Sequence, residues 1–264
     1  MIVVEGETKQ MHNDILSIGS ITIHGYGLMI GIGFIVALLM GSYRAKKKGL
    51  DSDVISSVAM LVIVSGFLGA KLLYVIVEFE QFIKAPMSVL GSEGFVVYGG
   101  IIAGALSAII YCRIKKISFM SYFDLLMPSV AIAQGFGRIG CFLAGCCYGR
   151  ETQSVLGVIF PEGSLAPAGV KLLPTQLFSS VGDFLIAGIL IWFSSRSKCK
   201  GNTGALYLLL YGIGRFCIEF LRDDERGIIG MLSTSQFISI FFVIGAIVLF
   251  VVNKKKQVAT SLEA

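Results

Sequence analysis

Residues 233–252 read STSQFISIFFVIGAIVLFVV, twenty residues without a charged side chain, and Lys254, Lys255 and Lys256 follow closely. A helix of about 20 apolar residues spans the hydrocarbon core of a bilayer, so this stretch predicts a transmembrane helix. A basic segment directly after such a helix is typical of a cytoplasmic connection or tail. This stretch therefore indicates a membrane protein.

The composition of the whole chain agrees with that class. Of the 264 residues, 55% are hydrophobic and 15% are charged, whereas about a quarter of the residues of a soluble domain are charged. This excludes a soluble globular enzyme, a disordered chain and a nucleic-acid-binding domain. The six cysteines do not have the pattern of a small secreted disulfide scaffold.

Six further apolar stretches lie between the N-terminus and residue 233, so about seven transmembrane helices are predicted. We expect an all-α, polytopic membrane protein that forms a single integral membrane domain over residues 1–264. A small extracytoplasmic cap is expected at about residues 148–173. The seven predicted spans are 22–43, 54–77, 95–112, 122–147, 174–195, 204–222 and 233–252.

The basic residues alternate between successive connections. Thirteen of the 22 Lys and Arg follow the first, third, fifth and seventh spans. The positive-inside rule puts these segments in the cytoplasm and the N-terminus outside. The first 21 residues have no basic segment followed by a short apolar core, so no cleavable signal peptide is predicted.

Several costly polar side chains fall at the outer depth of these spans, and such residues are functional candidates. In span 204–222, Tyr211, Arg215, Glu219 and Arg222 fall within about 80° on one helical face. Arg138 of span 122–147 lies at the same depth. Arginine binds phosphate bidentately, so this excess of guanidinium groups predicts the phosphate of an outer-leaflet phospholipid. A buried ion pair of Glu219 with an arginine, fixing only the packing, is the alternative.

Motifs in five of the spans carry a family resemblance. Span 204–222 contains YGIGRFCIEFLR from Tyr211, and span 122–147 contains GRIG from Gly137 to Gly140. HGYGLM begins at His24, a glycine pair stands at Gly99 and Gly100, and PTQL begins at Pro174. Through these motifs the chain resembles, over nearly its whole length, the prolipoprotein diacylglyceryl transferase family of seven-span bacterial inner-membrane enzymes.

The resemblance implies a transferase at the outer leaflet of the bacterial cytoplasmic membrane. The family moves the diacylglyceryl group of phosphatidylglycerol to the lipobox cysteine thiol of a prolipoprotein, which forms a thioether and releases glycerol phosphate. Those two substrates are the implied partners, no nucleic acid, cofactor or metal is expected, and the oligomeric state stays open. By resemblance, Arg138 and Arg215 hold the phosphate, because preorganised guanidinium groups stabilise the charge that develops on it.

The resemblance also distributes roles over the other candidates, with Tyr26, Tyr211 and Glu219 shaping the site and Arg222 at its outer rim. Tyr98 stands where the family usually has a histidine before the glycine pair. A tyrosine with an ordinary pKa near 10 is a poor base at neutral pH, so His24, Tyr98 and external water stay open as the proton acceptor. The predicted catalytic residues are Arg138, Arg215, His24 and Tyr98; the predicted substrate-binding residues are Tyr26, Gly99, Gly100, Gly137, Gly140, Tyr211, Glu219 and Arg222.

Two other functions stay open, both because of departures from the family pattern. A divergent paralogue that only binds or transports phospholipid is favoured by the missing histidine and by Cys146, which stands where the family has an acidic residue. A membrane thiol oxidoreductase would use Cys146 and Cys147. On a continuous helix Cys141 and Cys146 would lie about 140° apart, which argues against a disulfide between them. Packing is therefore the favoured role of these cysteines, with a redox pair or a substrate contact as alternatives.

Overall fold

The computed structural model describes residues 14–18, 21–92, 94–197, 199–224 and 227–262. These residues form long α-helices, and short antiparallel hairpins pair β1 with β2, β3 with β4 and β5 with β6. The described helices are α1 (Gly25–Lys47), α2 (Asp53–Val77), α3 (Phe79–Lys84), α4 (Pro86–Gly91), α5 (Val97–Ile114), α6 (Phe119–Ala144), α7 (Thr175–Arg196), α8 (Asn202–Ile218) and α9 (Thr234–Leu262). The strands are β1 (Asp14–Ile18), β2 (Ile21–His24), β3 (Val158–Ile159), β4 (Lys171–Leu172), β5 (Ile228–Ile229) and β6 (Leu232–Ser233).

Six of the described helices are long and apolar enough to cross a membrane: α1, α2, α5, α6, α7 and α9. Their large apolar side chains are exposed, for example Phe67 by 61% and Trp192 by 59%, as expected of helices that are solvated by lipid. The chain is therefore an all-helical, multi-pass membrane protein. The predicted span 204–222 forms α8, whose 17 residues are near the lower limit for a crossing. The seventh crossing and the orientation of the termini stay predictions.

The described residues divide into two compact units. The smaller unit, Leu38–Tyr122, is built on the packing of α2 against α5. A Cβ atom on Gly99 would collide with the backbone carbonyl of Gly69, and one on Gly100 would lie 2.8 Å from the carbonyl oxygen of Gly66. Glycines allow such close approach of two helices in a membrane. The side chains of Ser65 and Ser107 add a hydrogen bond of 2.8 Å between the same helices.

The larger unit takes the described residues of Met1–Ala37 and Phe123–Ala264. In it α8 packs against α7 and α9, and a core of Ala131, Ala187, Leu190 and Tyr207 joins α6, α7 and α8. The buried carboxylate of Asp124 accepts hydrogen bonds from the backbone amides of Gly201 and Gly204, at 2.6 and 2.7 Å. This carboxylate from α6 satisfies free amides at the N-terminus of α8, where a negative charge is stabilising.

Two helices end earlier than the predicted spans. As a result, several candidate residues of these two spans lie outside the helices. The predicted span 122–147 ends at Ala144, because Gly145 and Cys147 have φ values of 73° and 60° that a right-handed helix cannot contain. The prediction of one face for all four polar residues of span 204–222 was also wrong. There α8 ends at Ile218, a 3₁₀ turn covers Glu219–Leu221, and Arg222 is extended.

Candidate active site

Three helices of the larger unit enclose a cavity of about 110 Å³. Arg138 comes from α6, Asp183 from α7, and Tyr211 and Arg215 from α8. A single water occupies roughly 10–15 Å³ of such space, so the cavity can take a group of several atoms, such as a phosphate. Its remaining lining residues are Phe178, Ser179, Gly182, Ile186, Gly214 and Ile218.

Arg215 is held on two sides by neighbouring polar groups. Its Nη1 atom lies 2.8 Å from Oε2 of Glu219, one helical turn further on, although the two atoms are not aligned as a hydrogen bond. Its Nη2 atom donates a hydrogen bond of 2.7 Å to the hydroxyl of Ser235 in α9. The guanidinium is therefore fixed in place at the cavity wall before any ligand binds.

Arg222 has a different set of partners. Its Nε and Nη2 atoms donate hydrogen bonds of 2.8 and 2.5 Å to the two carboxylate oxygens of Asp224, which is the bidentate geometry that arginine prefers. Its Nη1 atom lies 3.8 Å from Oε2 of Glu219. Arg222 is absent from the cavity lining, and its charge is largely compensated by Asp224.

Arg138 differs from Arg215 in its direct partners. Within the part of the chain that the structure describes, no carboxylate lies within ion-pair distance of Arg138. Its guanidinium lines the cavity and interacts over a longer distance with Tyr211 and Asp183. A buried charge without a direct partner is costly, so an anion that enters the cavity can pair with Arg138.

Asp183 is a cavity residue that the predicted site did not include. Its side chain is buried, its Oδ2 atom has no hydrogen-bond partner, and it interacts electrostatically with Arg138 and Arg215. The sequence places Asp183 in the middle of a predicted span, which is a signal in itself, but not beside the arginines. The sequence predicts more arginines than carboxyl groups at this site. With Asp183 and Asp224 counted beside Glu219, three carboxyl groups accompany the three arginines.

The predicted substrate-binding residues of the larger unit lie around this site in different ways. Tyr211 lines the cavity and stacks on Tyr207, with 5.6 Å between ring centroids. A Cβ atom on Gly140 would lie 3.1 Å from the carbonyl oxygen of Tyr26, so this glycine allows α6 to pack on α1. Beside Gly137 the space is open to 4 Å. Packing therefore accounts for Gly140 but not for Gly137.

The two candidates for the proton acceptor lie in different units. His24 is the last residue of β2 and is exposed, and Tyr98 is half-buried in the first turn of α5. Gly99 and Gly100 follow Tyr98 in the smaller unit, where they pack against α2. Their role at the substrate and the identity of the base stay predictions.

The turn after α6 brings three thiols together. The sulfur atoms of Cys141, Cys146 and Cys147 lie within 4.8 Å of one another, and none of them forms a disulfide. The prediction of sulfurs on separate helical faces assumed a helix as far as residue 147, and it was wrong because α6 ends at Ala144. The charges of Arg222 and Arg138 act on the Cys147 thiol, and the Cys146 thiol donates a hydrogen bond of 3.7 Å to the carbonyl oxygen of Cys141.

The start of α7 holds that turn in place. The hydroxyl of Thr175 donates a hydrogen bond of 2.7 Å to the carbonyl oxygen of Cys147. The amide of Gln176 donates another of 2.7 Å to the carbonyl oxygen of Cys146. Both side chains are 1% exposed. The PTQL motif thus positions the cysteine turn through two buried hydrogen bonds.

Comparisons with known proteins identify the family of the chain. The family model described as prolipoprotein diacylglyceryl transferase matches residues 13–252. The chain is 50% identical to phosphatidylglycerol–prolipoprotein diacylglyceryl transferase 2 of Clostridium perfringens over 89% of this chain and 92% of that protein. It is 47% identical to the transferase of Clostridium tetani over 89% and 95% of the two chains. Transferase 1 of Clostridium perfringens is 33% identical, over 91% and 95%.

The fold and the site define a multi-pass membrane protein with an arginine-lined cavity between its helices. The family match extends over most of that protein. The chain belongs to the prolipoprotein diacylglyceryl transferase family.

Proposed function

We propose that this protein transfers the diacylglyceryl group of phosphatidylglycerol to the cysteine thiol of a prolipoprotein, at the outer leaflet of the bacterial cytoplasmic membrane. The relatives' names supply the reaction and the two substrates. The observation that carries the proposal is the cavity in which Arg138, without an ion-pair partner among the described residues, lies with Arg215 and Tyr211.

The phosphate of the lipid headgroup binds at Arg138 in this proposal. Arg215 is already oriented by Glu219 and Ser235, so it adds a fixed second donor at the cavity wall. A guanidinium that is preorganised in this way needs no reorientation when charge develops on the phosphate. Tyr211, in the same wall, can donate its hydroxyl to a third phosphate oxygen.

The reaction itself is a displacement at carbon. The lone pair of the acceptor thiolate forms a carbon–sulfur bond with the glycerol carbon of the diacylglyceryl group. The carbon–oxygen bond to the phosphate breaks, and its electron pair leaves with glycerol phosphate. The arginines accelerate this step because the departing phosphate gains negative charge in the transition state.

Asp183 opposes the same anion. Its carboxyl group lines the cavity beside Arg138, and a carboxylate at that place repels phosphate in a medium of low dielectric constant. Asp183 therefore limits how tightly the cavity holds the lipid and the glycerol phosphate product. Release of that product is needed for turnover, and a purely positive pocket would retain it. The role of the carboxyl group is therefore to weaken binding of the product.

Complementation tests the proposed function directly. In a bacterial strain depleted of its own transferase, expression of this chain should restore the mass shift of a lipobox precursor from the unmodified to the diacylglyceryl form. The variant Arg196→Lys, at an exposed residue at the end of α7, is the control and should restore the same mass shift. A chain that is inserted in the membrane at normal amounts, yet leaves the precursor unmodified, would instead fit a phospholipid-binding paralogue.

A further inference from the structure

We propose that Cys141, Cys146 and Cys147 form a three-thiolate site for a thiophilic d¹⁰ metal ion, Zn²⁺ or Cu⁺. The three sulfur atoms already lie within 4.8 Å of one another. Three thiolates on a tetrahedral zinc ion, with Zn–S bonds of about 2.3 Å, lie about 3.8 Å apart. Small rotations of the three side chains thus bring the sulfurs to coordinating distance.

The backbone of this turn is shaped for that convergence. Cys147 adopts the left-handed conformation, with φ of 60°, which is unfavourable for a residue with a side chain. Thr175 and Gln176 hold the carbonyl groups of Cys147 and Cys146 through buried hydrogen bonds. A cysteine that only fills space needs neither the unfavourable backbone nor two dedicated buried donors. Cys112 is such a residue, since it is buried inside regular helix α5.

The charges around the turn also suit a thiolate cluster. Arg138 and Arg222 interact electrostatically with Cys147. Three thiolates leave a net charge of −1 with a divalent ion and −2 with a monovalent one, and the nearby positive groups of Arg138 and Arg222 reduce the cost of that charge. Thiolate ligands select soft ions such as Cu⁺ and Zn²⁺ over Mg²⁺ and Ca²⁺, so hard cations are not expected here.

The site offers three protein ligands, all of them cysteine sulfurs. Among the described residues, no fourth His, Cys, Asp or Glu side chain joins the three thiols. A zinc ion with three protein ligands keeps one position for water or an external ligand, and Cu⁺ is satisfied by three thiolates alone. Elemental analysis distinguishes these two ions without reference to the chemistry of the cavity.

The test measures metal content and is independent of the proposed transferase function. The full-length protein, purified in detergent under reducing conditions, is incubated with Zn²⁺ or Cu⁺, desalted and analysed for metal per chain. About one ion per chain is expected, with at least ~100-fold weaker binding in Cys141→Ser, Cys146→Ser and Cys147→Ser. Cys217→Ser, at an exposed cysteine of α8, should bind like the unmodified chain.

A second variant keeps the proposal testable if the serine variants fail to fold. Thr175→Val removes the hydrogen bond to the carbonyl of Cys147 but no sulfur, and should weaken binding about 10-fold, as loss of groups supporting metal ligands does. Binding of neither ion above the level of a triple serine variant would overturn the site. Mass-spectrometric detection of a disulfide among these cysteines in freshly isolated membranes would overturn it as well.

Discussion

Nη1 of Arg215 lies 2.8 Å from Oε2 of Glu219 on the next turn, whereas Arg138 on the facing helix has no ion pair with any described residue. The two cavity arginines therefore differ in what they can do. Arg215 is positioned by the protein and acts as a fixed donor. Arg138 has no direct ion pair within the described part of the chain, so its guanidinium can bind an anionic ligand.

The first prediction concerns the geometry of Arg215. Arg215→Lys keeps the positive charge but removes the planar fork that reaches Glu219, Ser235 and the cavity together. Transfer to a lipobox peptide should fall about 100-fold or more, since loss of one preorganised donor typically costs that much. The rate is measured with phosphatidylglycerol in mixed micelles. Arg196→Lys should retain the full rate, and an equally active Arg215→Lys would show that the fork is dispensable.

Asp183 gives a prediction of opposite sign. Asp183→Asn keeps the size of the buried side chain and replaces an ionisable carboxyl group beside the proposed phosphate by a neutral amide. The KM for phosphatidylglycerol should decrease about five-fold, which corresponds to about 1 kcal/mol. Inhibition by added glycerol phosphate should strengthen in parallel because the same carboxyl group faces the product. An increased KM would mean that Asp183 assists binding of the lipid.

A third prediction tests the packing that joins the cysteine turn to the end of α8. A Cβ atom on Gly149 would lie 2.7 Å from the carbonyl oxygen of Leu221 and 2.7 Å from the methyl group of Thr175. Gly149→Ala should therefore destabilise the protein by about 1–3 kcal/mol, seen as a lower Tm in detergent. The matched control is Gly188→Ala in α7, where an added Cβ atom has no neighbour within 4 Å. Equal Tm values for the two variants would contradict this packing.

The orientation of the chain is the fourth prediction. Alkaline phosphatase, which is active only outside the cytoplasm, is fused after residue 160 or after residue 200. The positive-inside rule predicts an active fusion at the first site and an inactive one at the second. The reverse pattern would put the arginine cavity at the inner leaflet.

Much of the helical architecture follows from the sequence, because hydrophobic length alone determines where a membrane helix can form. The predicted span 54–77 and helix α2 differ by one residue. The helix ends after Ala144 and Ile218 were not predictable in the same way, since apolar residues still follow both positions. What ends α6 after Ala144 is local backbone geometry, namely the φ of 73° at Gly145 and of 60° at Cys147.

The candidate site was predictable in its arginines but not in its partners. Arg138, Tyr211 and Arg215 are unusual residues for a membrane span, and they do line one cavity. Asp183 and Asp224 complete the charges, yet their proximity to the arginines depends on how α7 packs on α8 and how the chain turns after Arg222. Such proximity is a tertiary property that residue spacing does not contain.

In the proposed reaction, Arg138 holds the phosphate of the lipid while its diacylglyceryl group moves to a cysteine thiol, and this role of Arg138 can be measured. It is tested most directly by incubating the purified protein, unmodified or with Arg138→Ala, with phosphatidylglycerol and a lipobox peptide, and measuring the peptide mass. We expect a diacylglyceryl mass increase with the unmodified protein and no increase with a folded Arg138→Ala variant. A peptide that Arg138→Ala modifies at the unmodified protein's rate would contradict it.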